Sequence, residues 1–399
     1  MNMRSIWVIN QSFYPDGDAT GQMITDLAED LASDGMRVTV LAGRNRKQAP
    51  KEESYRGMRI IRVNVLRLNK KVLIFRYLNY LSLFPSLIFK SFFLPAPDII
   101  FVVSSPPFMF FAGAVLKLIK GSRLVFNVQD LYPDVAIRLG LLTNRPLISL
   151  IEKLTLRAYA FADKIICVGT VMKEKLVKSG RGDDKTAVVN NWADASLLFP
   201  LERKTNPILG REGLLDKFVV QYSGNLGMVH EIDTVLEAAK QLKQRGDIVF
   251  VFVGDGVQKN KIVDFIRQHE LRNILLLPFQ RREELNLSLN ACDLALVTQK
   301  AGFEGLVVPS KIYGLMAVGK PIMAICPDKT EVAEIVGDGL GVVVRPGEGS
   351  RCAQAILRLA EDPGKMGAMG IRARKIFVGK YDRKLSTRQY FEILNGLLL

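Results

Sequence analysis

The sequence predicts an α/β protein built from two doubly wound, largely parallel sheets. Three observations carry this. The chain has 399 residues, too many for one ordinary core. Short, near-continuous apolar runs alternate with amphipathic stretches, the pattern of strands covered on both faces. The plan also occurs twice, on either side of a polar stretch from Asp194 to Asp216 that carries Pro200, Pro207 and Gly210 and reads as a linker.

In the first half the strand candidates are 5–13, 37–42, 58–65, 99–104, 124–128, 164–168 and 187–190, with helical stretches such as 19–33 and 146–161 between them. In the second half they are 218–223, 248–254, 274–277, 294–298, 321–325 and 341–344. The helices there are 231–243, 259–269, 282–291, 310–317, 331–336 and 352–360. The tail from Pro363 reads as helix with a pause near Gly379-Lys-Tyr-Asp382. These patterns give domains at 1–200 and 213–375, and a segment 376–399 long enough to cross back to the first domain. Ligands of such sheets bind at the carboxyl ends of the strands, and two facing sheets make a central cleft suited to a two-part ligand.

Composition narrows the classes. Hydrophobic residues make up 48% and charged residues 24%, ordinary for a globular protein. The four cysteines are scattered without a Cys-x-x-Cys, so neither a disulfide framework nor a zinc site is expected. Ser5-Ile-Trp-Val-Ile-Asn10 reads as a first strand rather than a leader, and a reducing cytoplasm fits best. The net charge of +15 is concentrated: Arg37 to Arg123 holds sixteen Lys or Arg against three Asp or Glu. That asymmetry points to a polyanionic partner, nucleic acid or an anionic membrane, or else to a solvated basic face.

Chemistry gathers in turns that follow strands. Pro309-Ser-Lys311 opens a helix and sets a cation beside backbone N–H groups, an arrangement suited to a diphosphate. Ser223-Gly-Asn-Leu-Gly227 and Val253-Gly-Asp-Gly256 are Gly-rich turns that allow close backbone approach, or simple strand–helix connections. Neither completes Gly-x-Gly-x-x-Gly, since Lys259 takes the third position, which disfavours a nicotinamide dehydrogenase. A third turn, Tyr14-Pro-Asp-Gly-Asp-Ala-Thr-Gly21, reads as turn chemistry with Asp18 or Thr20 capping the next helix, not as an Asp-x-Asp metal site.

Together, Tyr222-Ser-Gly-Asn-Leu-Gly227, Phe252-Val-Gly-Asp-Gly256, Leu277-Pro-Phe-Gln280, Pro309-Ser-Lys-Ile-Tyr313 and Gly319-Lys-Pro321 resemble the family 4 retaining glycosyltransferases. The likeness is to the L-fucosamine-transferase-like subgroup of bacterial O-antigen, capsule and exopolysaccharide synthesis. It extends through Phe13-Tyr-Pro15, Asn127-Val-Gln-Asp-Leu-Tyr-Pro133 and Asn190-Asn-Trp-Ala-Asp194. It implies the GT-B fold, with an acceptor- and membrane-facing N-terminal domain and a C-terminal domain that binds the nucleotide-sugar. It also implies a UDP-sugar donor and no metal or other cofactor. By the same resemblance Gly21, Gly224, Asn225, Gly227, Asp255, Gly256, Phe279, Gln280, Arg281, Leu306, Ser310, Lys311 and Tyr313 face the donor. Tyr14, Asp16, Thr20 and His230 face the acceptor, and Asp130, Lys311 and Glu304 are the catalytic candidates.

Two departures stand out. The family's second ribose-gripping Glu falls on Gly314 and the first on Leu306, with Glu304 two residues earlier as the substitute expected to point into the site. The family's phosphate-gripping Arg/Lys pair is replaced by Met228, Val229 and His230, which leaves Lys311, with Arg281 or Arg282 second, to meet the diphosphate. Asp130 ends an apolar strand and is expected to serve as accessory base or sugar-hydroxyl ligand, or to cap the next helix.

Val72–Leu94 is rich in Leu and Phe but broken by Arg76, Asn79, Pro85 and Lys90. It reads as an interface-lying segment flanked by Arg67, Lys70 and Lys71, or as a buried helix. The first reading puts the protein on the anionic inner face of the plasma membrane, with access to a polyprenyl-diphosphate-linked acceptor. A UDP-sugar 2-epimerase of the same fold is the competing reading. A nucleic-acid-binding protein is disfavoured, because the aromatic stretch is too apolar for a solvated groove.

Overall fold

The computed structural model describes residues 4–46, 48–68, 73–182 and 184–398. Two compact units emerge. The first runs to Asn190 and takes in Gly305–Val307 and the C-terminal stretch from Leu385; the second holds Asn191–Glu304 and Val308–Lys384.

The first unit is built on strands β1 (Ser5–Asn10), β2 (Arg37–Gly43), β3 (Glu52–Tyr55), β4 (Met58–Val63), β5 (Ile99–Val103), β6 (Arg123–Val128), β7 (Lys164–Cys167) and β8 (Thr186–Val188). Among the described residues they form one sheet in the order β3-β4-β2-β1-β5-β6-β7-β8. All ladders are parallel except β3·β4. Every residue of β1 and β5 is buried, as central strands covered on both faces require. The strand β3 carries no apolar run, so periodicity misses it. It is a polar edge strand, tied to β4 by the Arg59–Glu52 and Arg62–Glu53 ion pairs, and charge on an edge discourages further pairing.

The second unit has β9 (Phe218–Ser223), β10 (Ile248–Val253), β11 (Ile274–Leu277), β12 (Leu294–Thr298), β13 (Ile322–Ile325) and β14 (Gly341–Val344). Their order is β11-β10-β9-β12-β13-β14, all parallel. The order reverses between β9 and β12, a switch point where connections leave in opposite directions and a crevice opens at the strand ends.

The expected linker 194–216 is not open chain. It folds onto the second unit through the short helix Pro207–Arg211, capped by Asn206, with Ile208, Leu209 and Leu214 in that unit's core. Arg203 pairs with Asp293 at 2.8 Å. The alternation of polar and apolar residues hid this anchoring. The tail forms helices Pro363–Lys380 and Arg383–Gly396. The latter reaches the first unit's sheet, where the Asn127 amide donates to the Tyr390 hydroxyl at 2.7 Å.

From residue 73 the segment forms two short helices, Leu73–Leu81 and Leu83–Ser91, rather than one. Leu83 and Leu87 are buried, whereas Phe89, Phe92 and Phe93 are 67%, 62% and 69% exposed. Lys70, Lys71 and Val72 lie outside the described residues. No helix among the described residues is long and apolar enough to cross a membrane.

Candidate active site

Two turns at the carboxyl ends of β9 and β10 interlock in the second unit. Gly224 N–H donates to Val253 O, Leu226 N–H to Asp255 O, and Gly254 N–H to Leu277 O, all at 2.9 Å. Backbone this close leaves no room for side chains. A Cβ at Gly254 would lie 2.1 Å from the Gly224 carbonyl oxygen, and the residue has φ +140°, so glycine is required. The Gln258 amide locks the assembly by donating to Gly227 O at 2.6 Å and His230 O at 3.0 Å.

Lys311 rises into this cradle. Its Nζ lies 3.5 Å from the Tyr222 ring centroid and 3.3 Å from where a Gly224 Cβ would be. It is buried and has no hydrogen-bond partner among the described residues. That burial pushes its pKa well below the usual lysine value. A buried amine without an acceptor is costly, and such costs gather at functional sites. The first turn of helix Lys311–Ala317 offers less than expected: Ile312 and Tyr313 N–H already donate to Pro309 and Ser310 carbonyls. Ser310 makes no side-chain cap.

His230 sits beside the cradle. Its Nδ1 contacts Thr298 O at 2.9 Å, and its ring meets Tyr222 edge-on at 5.8 Å. Burial, above all, lowers its pKa to about 3, so the imidazole is neutral at physiological pH. It therefore belongs to the second unit's cradle, while Tyr14, Asp16 and Thr20 belong to the first unit. Asn225 and Asp255 are exposed on the turns. Asp255 Oδ1 accepts from Gly256 N–H at 2.8 Å. Phe279 is 57% exposed, and its Cε1 lies 3.3 Å from the Gly254 Cβ position, so its ring forms one wall. Gln280 turns back to Pro278 O at 2.9 Å, and Arg281 pairs with Glu284 at 3.5 Å.

Three expectations need correction. Tyr313 does not face a donor: it is fully buried and packs on Tyr381 with ring centroids 5.0 Å apart. Helix geometry explains this, because side chains two apart point to opposite sides, and Lys311 takes the cradle side. Leu306 belongs to the first unit, buried, with its carbonyl accepting from Leu131 N–H at 2.9 Å. Glu304 folds back on its own loop, accepting from Gly302 N–H at 3.0 Å. Position 314 is also apolar in character: a Cβ there would meet Leu289 at 3.3 Å and Leu198 at 3.5 Å. Leucines thus crowd the space a carboxylate would need to enter.

In the first unit the turn after β1 is braced throughout. Tyr14 stacks on Tyr55 at 3.9 Å, and Asp16 accepts from Asn45 at 2.7 Å and pairs with Arg46 at 3.3 Å. Asp18 rather than Thr20 caps helix Ala19–Ser33, accepting from Gly21 N–H at 3.0 Å. The loop after β6 is held by Ser104, whose Oγ accepts from Gln129 and Asp130 N–H at 2.9 and 3.2 Å. Asp130 also bridges to Val307. It caps no helix, since Pro133 occupies that position. Burial raises its carboxyl pKa to about 6, the range suited to a base near neutrality.

Asp130→Asn is accordingly expected to remove an acid limb near pH 6 from kcat/KM. At about pH 8 activity should fall by up to about 10²-fold, the low end for general-base catalysis. Stability should move oppositely. A carboxyl with a raised folded pKa stabilises below its unfolded value and loses that contribution as pH rises through 6. The Asn variant should therefore be more stable above pH 6, by up to about 3 kcal/mol. Rate profiles and denaturation at several pH values check both.

Gln258, Thr298 and Tyr222 are cradle residues that sequence reasoning did not single out. Tyr222 was visible in the motif, but its partner lies 89 positions away.

A switch-point cradle of glycine turns with a buried lysine defines a doubly wound domain with a candidate ligand site at its strand ends. Comparison with known proteins makes the class specific. Residues 210–376 match the family "Glycosyl transferases group 1", and residues 20–197 match "Glycosyltransferase Family 4". The probable glycosyltransferase WbjE of Pseudomonas aeruginosa is 29% identical over 309 residues, 75% of each chain. The putative colanic acid biosynthesis glycosyl transferase WcaI of Escherichia coli K12 is 27% identical over 257 residues, 61% of this chain and 62% of that one. The Anabaena protein HepE, solved with UDP and glucose, superposes with TM-score 0.76 at 18% identity over 98% of this chain and 100% of that chain. The chain belongs to the family 4 glycosyltransferases of GT-B fold.

Proposed function

We propose that this glycosyltransferase moves a sugar from a UDP-sugar to a polyprenyl-diphosphate-linked saccharide, with retention and without a metal, in bacterial surface polysaccharide synthesis. The sugar is an N-acetylated amino sugar, on the likeness to the fucosamine-transferase-like subgroup. The observation that carries the donor half is Lys311, an unpaired buried amine under the glycine turn. UDP in the HepE structure and colanic acid in the name of WcaI support the donor and the pathway class.

As the glycosidic bond breaks, negative charge grows on the departing diphosphate. A fixed cation in a dry site stabilises that charge far more than in water. In a front-face route the leaving phosphate itself accepts the acceptor proton, and Asp130 is the accessory base. The cradle holds the donor through backbone and Lys311, while the Phe279 ring walls it. A transfer assay tests this: UDP should be released only when a lipid-linked acceptor is added. Formation of an epimer from donor alone would favour the 2-epimerase instead.

The membrane half rests on the exposed Phe89, Phe92 and Phe93 with Lys90 among them in the chain, an apolar surface with a basic neighbour suited to anionic lipid. The full-length protein should co-sediment with anionic vesicles at low salt, and Phe92→Asp with Phe93→Asp should abolish this. Indifference of the unaltered protein to such vesicles would refute it.

A further inference from the structure

Tyr222 does more than fill the core. It is fully buried on β9, its hydroxyl donates to Asn225 O at 2.7 Å, and its ring face lies under Lys311 Nζ at 3.5 Å. One side chain thus braces the glycine turn and supports the lysine. Among the described residues nothing around the amine accepts a hydrogen bond from it. The face of Tyr222 comes from β9, Gly224 from the turn brings no side chain, and His230 is neutral and bonded to Thr298 O. Lys300, beyond β12, adds a like charge felt at His230. Burial alone accounts for the lowered basicity of Lys311, with no carboxylate acting on it. At the far end of helix Lys311–Ala317, the Arg374 guanidinium is spent on the Ala317 and Leu198 carbonyls.

We propose that Tyr222 is a positioning residue for donor binding: its ring, braced through Asn225, keeps the Lys311 amine dry and uncommitted beneath Gly224, and the amine takes up a proton when a diphosphate enters. An aromatic face suits this role because it attracts an ammonium without competing for its N–H donors as a carboxylate would. A carboxylate partner would hold the lysine charged and paired, and the incoming phosphate would have to displace it. With the ring, the empty site carries little charge and the filled site a close ion pair. The proton comes from solvent, one for each diphosphate bound. This inference rests on the diphosphate reading proposed above.

Calorimetric titration of UDP into the full-length protein tests it, in two buffers of different ionisation heat and between about pH 7.5 and 8.5. The UDP phosphate, whose last ionisation lies at about pH 6, and neutral His230 contribute no protons there. The unaltered protein should take up close to one proton per UDP, and its affinity should fall as pH rises, by up to about tenfold per pH unit. Lys311→Met should take up none. Tyr222→Phe keeps the ring but loses the bond to Asn225 O, so proton uptake should persist while affinity falls by a few-fold. Tyr222→Leu lets water reach the amine, so uptake should drop towards zero and affinity by about tenfold. UDP binding without proton uptake, or Tyr222→Leu behaving as the unaltered protein, overturns the inference and leaves the donor reading standing. If UDP fails to bind the unaltered protein, both fall.

Discussion

Replacing Lys311 by Met is expected to slow sugar transfer by about 10²–10³-fold while making the ligand-free protein more stable. The two effects have one cause. The amine is buried on the Tyr222 ring without an acceptor, which costs stability when no ligand is present. A lysine whose folded pKa is depressed contributes most above its unfolded value, and that contribution is lost as pH falls through the folded pKa. At neutral pH removal of the amine therefore relieves the folded protein. Methionine is unbranched, reaches to within one atom of the amine position and packs on the ring, so the cradle stays largely filled. Yet the departing diphosphate then loses the cation that meets its growing charge. Initial rates at saturating donor and a thermal melt of the same sample measure both. Unchanged turnover, or a large fall in melting temperature, would show that Lys311 is an ordinary core residue.

The second large effect is expected at Gly254. Alanine there must place a methyl group 2.1 Å from the Gly224 carbonyl oxygen at φ +140°. No flexible side-chain end can yield, because the obstacle is backbone. The turns after β9 and β10 must separate, which breaks the Gly224 N–H bond to Val253 O and shifts the roof over Lys311. Positive φ alone costs about 1–3 kcal/mol in a non-glycine residue, and the clash adds to it. Gly254→Ala should destabilise the second unit by more than about 2 kcal/mol and abolish UDP binding. Gly246→Ala is the control: its Cβ meets nothing within 4 Å, and it should be nearly neutral in both assays.

Much of this was legible in the chain. Apolar runs such as Ile6–Ile9 and Ile248–Val253 announce covered parallel strands, and the glycines of 223–227 and 253–256 announce close turns at their ends. Local pattern could not show which of two like turns meets the lysine. That follows from β9 lying between β10 and β12, a long-range pairing. It also could not separate the two faces of a seven-residue helix, so Lys311 and Tyr313 were grouped although they point apart. Glu304 misled for a related reason: a carboxylate in a loop is as ready to bind its own backbone as a ligand, and here it takes Gly302 N–H. The edge strand β3 and the anchored stretch 194–216 escaped because polar residues dominate both. In each, ion pairs and caps rather than apolar periodicity supply the order.

The central claim is that a reserve lysine under a glycine turn receives a nucleoside diphosphate. Thermal stabilisation by UDP, GDP and dTDP, measured side by side on the unaltered protein and on Lys311→Met, addresses it most directly. The account predicts that UDP raises the unaltered protein's midpoint, in line with about 2.7 kcal/mol at a hundredfold excess over Kd. GDP and dTDP should do less, and the gain should largely vanish in Lys311→Met. Equal stabilisation of both proteins by UDP, or of neither by any nucleotide, would contradict it.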